Sequence, residues 1–190
     1  MSAHTLQPGD ALLIVDVQND FCPGGALPVP EGDAVVPVLN RWIRAARAVG
    51  VPVIASRDWH PVSHVSFSEQ GGPWPPHCVQ DTDGVRFHPK LELPEDTVLV
   101  SKGTAFDRDA YSAFDGTGLG GYLSAHDIRR LWIGGLAEDV CVLETVKDAC
   151  ALGFETHLIS NATRPVSPDK EEQALQAMRR SGVVLERAEV

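Results

Sequence analysis

Leu12-Leu13-Ile14-Val15-Asp16 is the stretch that decides the fold: four apolar residues with no polar alternation, then an acid. A short continuous apolar run reads as a strand buried on both faces, the habit of a parallel sheet covered by helices. Three further runs repeat the pattern. VPVIAS (51–56) leads to Asp58 and His60, TVLVS (97–101) leads to Lys102, and LWIGG (131–135) opens a short loop reaching Cys141. In an open parallel α/β sheet, ligands gather outside the carboxyl ends of the strands. These four ends would bring an acid/base, metal ligands, a cation and a nucleophile to one crevice, so a hydrolytic site is the leading hypothesis.

Outward from these runs, strands and helices alternate. Strands are expected near 11–16, 51–56, 97–101, 131–134, 155–159 and 183–186. A helix capped by Asp33 is expected to run to about 49, its apolar positions Val35, Val38, Leu39, Trp42, Ile43 and Ala46 spaced by three and four, with Gly50 as its stop. Further helices are expected near 119–126, near 139–152, and from a Ser167 cap and Pro168 to about 181. The whole reads as one domain over 1–190: an α/β, doubly wound, mainly parallel six-stranded sheet with helices on both faces. Residues 58–95 carry little periodicity, and an irregular stretch of that length is usually functional or disordered. Its two Trp, four His and Phe pair argue for order.

Composition narrows the function classes. The chain has 190 residues, 43% of them hydrophobic, and a net charge of 16 − 26 = −10. That charge argues against nucleic acid and anionic membranes as partners. No apolar run approaches a membrane span. MSAHTLQPGD lacks the basic start and apolar stretch of a signal peptide, so a cytoplasmic location is expected, with Cys22, Cys78, Cys141 and Cys150 as free thiols.

Among those thiols, Cys141 stands apart because it falls in the first turn of a helix, where free N–H groups and the dipole favour a thiolate. Cys150 sits mid-helix among Val146, Ala149 and Leu152 and reads as structural; Cys22 and Cys78 read as bystanders. A free thiol titrates near ~8.5, and lowering that by two units takes ~2.7 kcal/mol. Lys102 and the helix start are expected to supply it, offsetting the repulsion of Asp16. Asp16 then suits proton transfer from the thiol to a leaving amine. A lone lysine after a strand is usually a surface group and a lone aspartate in a turn usually a cap; their convergence with Cys141 carries the argument.

Asp58 and His60 are two apart in an extended segment and leave the same face. With His77, inside Trp74-Pro75-Pro76-His77-Cys78, they form a two-His-one-carboxylate set for a divalent metal, with His64 as a fourth ligand or an outer partner. His4, His88, His126 and His157 read as surface or packing residues. Gly116, Gly118 and Gly121 satisfy G-x-G-x-x-G but follow no apolar strand, so the dinucleotide reading is rejected.

Taken together, LLIVDVQNDFCPGGAL (12–27), SRDWHPVSHVSF (56–67), WPPHCV (74–79), Lys102-Gly103 with YSAF (111–114), and GLAEDVCV (135–142) resemble the nicotinamidases (pyrazinamidases) of the isochorismatase-like cysteine hydrolase family. The resemblance implies a catalytic triad of Asp16, Lys102 and Cys141, and Asp58, His60 and His77 as ligands of one divalent ion, zinc foremost, with iron or manganese as alternatives. It implies a cis peptide at Leu136–Ala137, an oxyanion hole from the Ala137 and Cys141 amides, and a ring pocket of Phe21, Trp74 and Tyr111. The implied reaction is hydrolysis of nicotinamide to nicotinate and ammonia through a Cys thioester, with a place in NAD salvage. A sister cysteine amidohydrolase acting on another small amide, or a catalytically silent metal-binding protein, are the alternatives. A homo-oligomer is left open. Glu138 and Val140 depart from the family pattern and leave substrate fine-tuning open.

Overall fold

A computed structural model describes residues 6–187. His4 and the first half of the amino-terminal decapeptide therefore lie outside the described residues. Six strands form one sheet: β1 (Asp10–Val15), β2 (Val53–Asp58), β3 (Val98–Lys102), β4 (Arg130–Leu136), β5 (Glu155–Arg164) and β6 (Val184–Glu186). Their spatial order is β3-β2-β1-β4-β5-β6, and every pairing is parallel. From β1 the chain winds outward through β2 to β3, then returns to the other side of β1 and winds outward through β4 to β6. The reversal makes β1/β4 the switch point, where such sheets open a crevice.

The four helices are α1 (Val35–Ala48), α2 (Leu119–Ala125), α3 (Leu143–Ala151) and α4 (Glu171–Arg180). Alternation along β1 feeds two cores. Leu12 and Ile14 pack with Leu39, Trp42, Ile43 and Ala46 of α1. Ala11, Leu13 and Val15 pack with Leu119 and Leu123 of α2, Val146 and Ala149 of α3, and Ala174 and Met178 of α4. Each fully buried large aliphatic or aromatic chain contributes about 1.5–3 kcal/mol of transfer free energy. That double cover explains why β1 reads as a solid apolar run. No helix among the described residues is long and apolar enough to cross a membrane.

Several local expectations are corrected. Asp33 makes no cap: it lies inside a 3-10 turn, Gly32–Ala34, and α1 begins after it with no side-chain cap bond. Ser167 precedes a 3-10 turn at Pro168–Lys170 but likewise donates no side-chain cap; its backbone N–H is taken by Asp139. β5 runs five residues beyond its expected end, to Arg164: it bulges opposite Gly134, between its pairings of Leu158 with Ile133 and of Thr163 with Gly135, and then continues along β4. His157 is buried, stacked on Trp132 with ring centroids 4.4 Å apart, so of the surface and packing alternatives it takes packing.

Candidate active site

Asp16 is the first residue beyond β1 and has φ 48, in the left-handed region that Asp tolerates better than most residues. Its backbone is pinned on both sides: its N–H donates to the Ser56 carbonyl (3.1 Å), and its own carbonyl accepts from Gln18 N–H (2.8 Å). The carboxylate then points inward, where Ser56 Oγ donates to Oδ1 at 2.8 Å. Lys102 ends β3, two strands away, yet its side chain is buried and reaches back across β2. Its Nζ lies 2.8 Å from Asp16 Oδ2, 2.5 Å from Asp58 Oδ1 and 3.5 Å from Cys141 Sγ. A lone lysine at a strand end is thus a buried hub for both carboxylates and the thiol. Asp16 Oδ2 is buried, with the Lys102 ammonium as its ion-pair partner.

Cys141 lies in a π-helical turn, Glu138–Val142, that leads into α3. The peptide before it, Leu136–Ala137, is cis. Gly135 is needed here: its φ is 131, and a Cβ would stand 2.1 Å from the Val15 carbonyl oxygen. The glycine lets β4 close onto β1 immediately before the turn that carries the thiol.

One expectation about the thiol fails. The expected lowering is outweighed: burial pushes the Cys141 thiol well above its usual value, the Lys102 ammonium pulls it down, and the Asp16 and Asp58 carboxylates push it up again. Lys102 is pushed well above its usual value, the two aspartates outweighing desolvation. Asp16 is raised, desolvation outweighing Lys102.

Asp58, His60 and His77 bring ligand atoms within 4.8 Å of one another. Their tautomers are legible. His60 Nδ1 contacts the His77 carbonyl at 3.1 Å and His77 Nδ1 the Pro75 carbonyl at 2.7 Å. A carbonyl only accepts, so each Nδ1 carries the proton and each Nε2 presents a lone pair. Those Nε2 atoms face Asp58 at 3.9 and 3.8 Å, too long for hydrogen bonds. Both spans fall under the ~4.4 Å that separates two ligands each ~2.2 Å from one ion, and two imidazoles with one carboxylate are a donor set for a divalent cation. His64 is placed otherwise. Its ring stacks on His60 at 4.2 Å, its Nδ1 bonds Ser66 Oγ (2.7 Å) and its Nε2 the Arg108 carbonyl (3.1 Å), so it backs the site with both nitrogens occupied.

Residues whose roles sequence reasoning missed hold this set in place. Gln18 grips Asp58 through its backbone, donating to the Asp58 carbonyl (2.9 Å) and accepting from the Asp58 N–H (2.8 Å). Asp20 accepts from Cys78 N–H at 2.7 Å and so fixes the residue after His77. Gly103, with φ 62, leaves the space in which a Cβ would stand 2.6 Å from His60 Nε2. The signal for Gln18 and Asp20 lay in DVQNDF (16–21), but only the folded structure shows what they grip.

Phe21, Trp74 and Tyr111 line one cavity together with Cys141, Ala137, Asp58, His60 and His77. Trp74 Nε1 donates to Tyr111 Oη at 3.1 Å, and the Phe21 ring lies 5.6 Å from that of His77. Val140 and Val166 complete the apolar wall.

Residues 10–189 match the family model described as the isochorismatase domain. The chain belongs to the isochorismatase family. Within that family, it is 41% identical to the nicotinamidase of Escherichia coli (strain K12) over 94% of each chain. A crystal structure of the pyrazinamidase of Pyrococcus horikoshii in complex with zinc superposes with a TM-score of 0.91 at 47% identity, covering 94% of this isochorismatase-family chain and 99% of that one. That of PnC1 from L. infantum in complex with nicotinate gives 0.89 at 35% identity, covering 97% and 96%.

Proposed function

We propose that this protein is a nicotinamidase, hydrolysing the ring carboxamide of nicotinamide to nicotinate and ammonia. The observation that carries the reading is Lys102 Nζ in contact with Asp16, Asp58 and Cys141 beside a cavity lined by Phe21, Trp74 and Tyr111. As Cys141 Sγ attacks the carboxamide carbon, its proton passes to the Asp16 carboxylate, which Lys102 holds beside the thiol. The oxygen of the tetrahedral adduct rests on the Ala137 and Cys141 amides. Asp16 returns the proton to nitrogen, ammonia leaves, and a thioester remains. A water then gives a proton to Asp16 and its oxygen to the acyl carbon; the C–S bond breaks and the thiol takes the proton back. Lys102 stays charged throughout and keeps Asp16 and Asp58 close despite their repulsion.

Asp58, His60 and His77 would hold one divalent ion, zinc by the nitrogen-rich donor set and the zinc complex of the P. horikoshii relative. Bound there, it supplies a Lewis acid at the cavity wall for a ring nitrogen or a water. Phe21, Trp74 and Tyr111 supply faces and edges for the ring. Ammonia release from nicotinamide by purified protein tests the proposal. No release from nicotinamide, with release from another small amide, would favour the sister amidohydrolase; no release from any amide would favour a silent scaffold.

A further inference from the structure

Glu138 sits three residues before the nucleophile and is 1% exposed. Its Oε2 is hydrogen-bonded to Thr163 Oγ1 on β5, and its Oε1 is buried without a partner. The same Thr163 hydroxyl also contacts the Ser160 carbonyl at 3.2 Å. A hydroxyl has one proton and a carbonyl has none. Were Glu138 ionised, one proton would have to serve two acceptors, and an anionic oxygen would be buried with no donor. With the proton on Glu138 Oε2, the chain closes: Glu138 donates to Thr163, and Thr163 donates to Ser160.

Among the described residues, no neighbouring group donates a hydrogen bond to Glu138 Oε1. Arg164 on β5 spends Nη1 on the Thr163 carbonyl at 2.7 Å. Asp139 of the same turn accepts from Val166 and Ser167 N–H. Glu171 at the start of α4 adds like charge. Burial, joined by Glu171 and Asp139, pushes the Glu138 carboxyl up against the opposing pull of Thr163 and Arg164.

We infer that Glu138 is held as a neutral carboxylic acid whose proton fastens the turn carrying Ala137 and Cys141 to the end of β5, making it a positioning residue for the nucleophile. Asp139 makes the second tie, to Val166, which lines the cavity. Ionising Glu138 opens the first tie and buries a charge, so turnover falls as pH rises through its raised pKa. The effect on turnover rests on reading Cys141 as the nucleophile; the protonation does not.

Infrared difference spectra of wild type against Glu138→Gln at pH 7 test the proton directly. A protonated-carboxyl carbonyl band present in wild type and absent in the variant is expected, and its absence from wild type overturns the inference. Unfolding free energies give a readout independent of activity. Between the ordinary glutamate pKa of ~4.3 and the raised native value, the native state keeps a proton that the unfolded chain has lost. Wild type should therefore lose stability relative to Glu138→Gln as pH rises through that window; a pH-independent difference counts against the proton. Gln retains a donor for Thr163 and should rescue turnover at neutral pH while moving the alkaline limb of kcat upward. Asp is a methylene short of Thr163 and should lower kcat at least tenfold. An unmoved limb in the Gln variant overturns the positioning role. Should Glu138→Gln fail to fold, Thr163→Val must shift the same infrared band, and an unshifted band overturns the tie. A carboxyl band in a protein that releases no ammonia from nicotinamide would refute the proposed function and leave the neutral acid standing.

Discussion

Gly103→Ala adds one methyl group and should disable the proposed metal site without replacing a ligand. The new Cβ would stand 2.6 Å from His60 Nε2 and 2.7 Å from its Cδ2, against the 3.4 Å at which ordinary contact begins. Relief requires 3.4 − 2.6 = 0.8 Å of movement. His60 cannot swing away easily, since His64, Phe67 and His77 pack its ring at centroid distances of 4.2, 5.4 and 4.8 Å. A shift of that size is a large fraction of a ~2.0–2.1 Å metal–nitrogen bond. Altered outer support of a ligand typically costs 10–100-fold in affinity, so at least a tenfold loss, ~1.4 kcal/mol, is expected. The backbone makes its own contribution: a φ of 62 costs a non-glycine residue roughly 1–2 kcal/mol, or a fall of about 2–8 °C in Tm for a chain of this size. Gly118→Ala separates the two effects. Gly118 has φ 72 and nothing within 4 Å of the added Cβ, so it carries the backbone penalty alone. Zinc affinity by chelator competition and Tm, measured on both variants, decide the matter. Equal zinc affinity in Gly103→Ala and Gly118→Ala would refute the reasoning that Gly103 is kept open for His60.

Three further outcomes follow from the site. Cys141→Ala should abolish ammonia release with fold and metal content unchanged, whereas Cys150→Ala, half-buried on α3, should be mild; equal losses would mean the nucleophile is another thiol. Nicotinamide and pyrazinamide should be hydrolysed with much higher kcat/KM than benzamide, because a site that binds a ring nitrogen leaves a polar group unpaired when that atom is missing; equal values would refute a role for the metal in reading the ring. Burial pushes His60 down to about 3, against ~6.5 in the unfolded chain. Between those values only the unfolded state takes up the proton, so metal-free protein should lose on the order of 4 kcal/mol as pH falls from 6.5 to 3. Urea unfolding of metal-free wild type and His60→Gln checks this, and a difference that does not change with pH would contradict it.

The fold was legible because β1 to β4 are continuous apolar runs, and each one's length and end could be read from neighbouring residues alone. The side chains Asp16, Asp58, His60, Lys102 and Cys141 were legible for the same reason, since parallel strands must deliver their ends to one edge. What escaped depended on contacts across the sheet. The Gln18 grip on Asp58 joins residues 40 apart through backbone atoms that leave no pattern in side-chain identity. The failed expectation of a thiolate has a similar origin: helix start and cation were visible, but not that Lys102 is buried and already shared between Asp16 and Asp58. Asp33 and Ser167 looked like caps by residue type, and only local geometry shows that neither side chain turns back onto its helix.

The switch point at β1/β4 has a consequence for how the protein could be divided. Of the proposed centre, residues 10–103 carry Asp16, Lys102, Asp58, His60 and His77 with Phe21 and Trp74, and Cys141 arrives only with residues 130–142. Neither portion contains a working centre, and the chain between them runs through an exposed stretch at Thr104, Phe106, Asp107 and Arg108. Breaks are best tolerated in such exposed stretches. Cut there, the molecule would become two silent fragments whose reunion along one strand pair restores the chemistry, turning amide hydrolysis into a signal that two tethered partners have met.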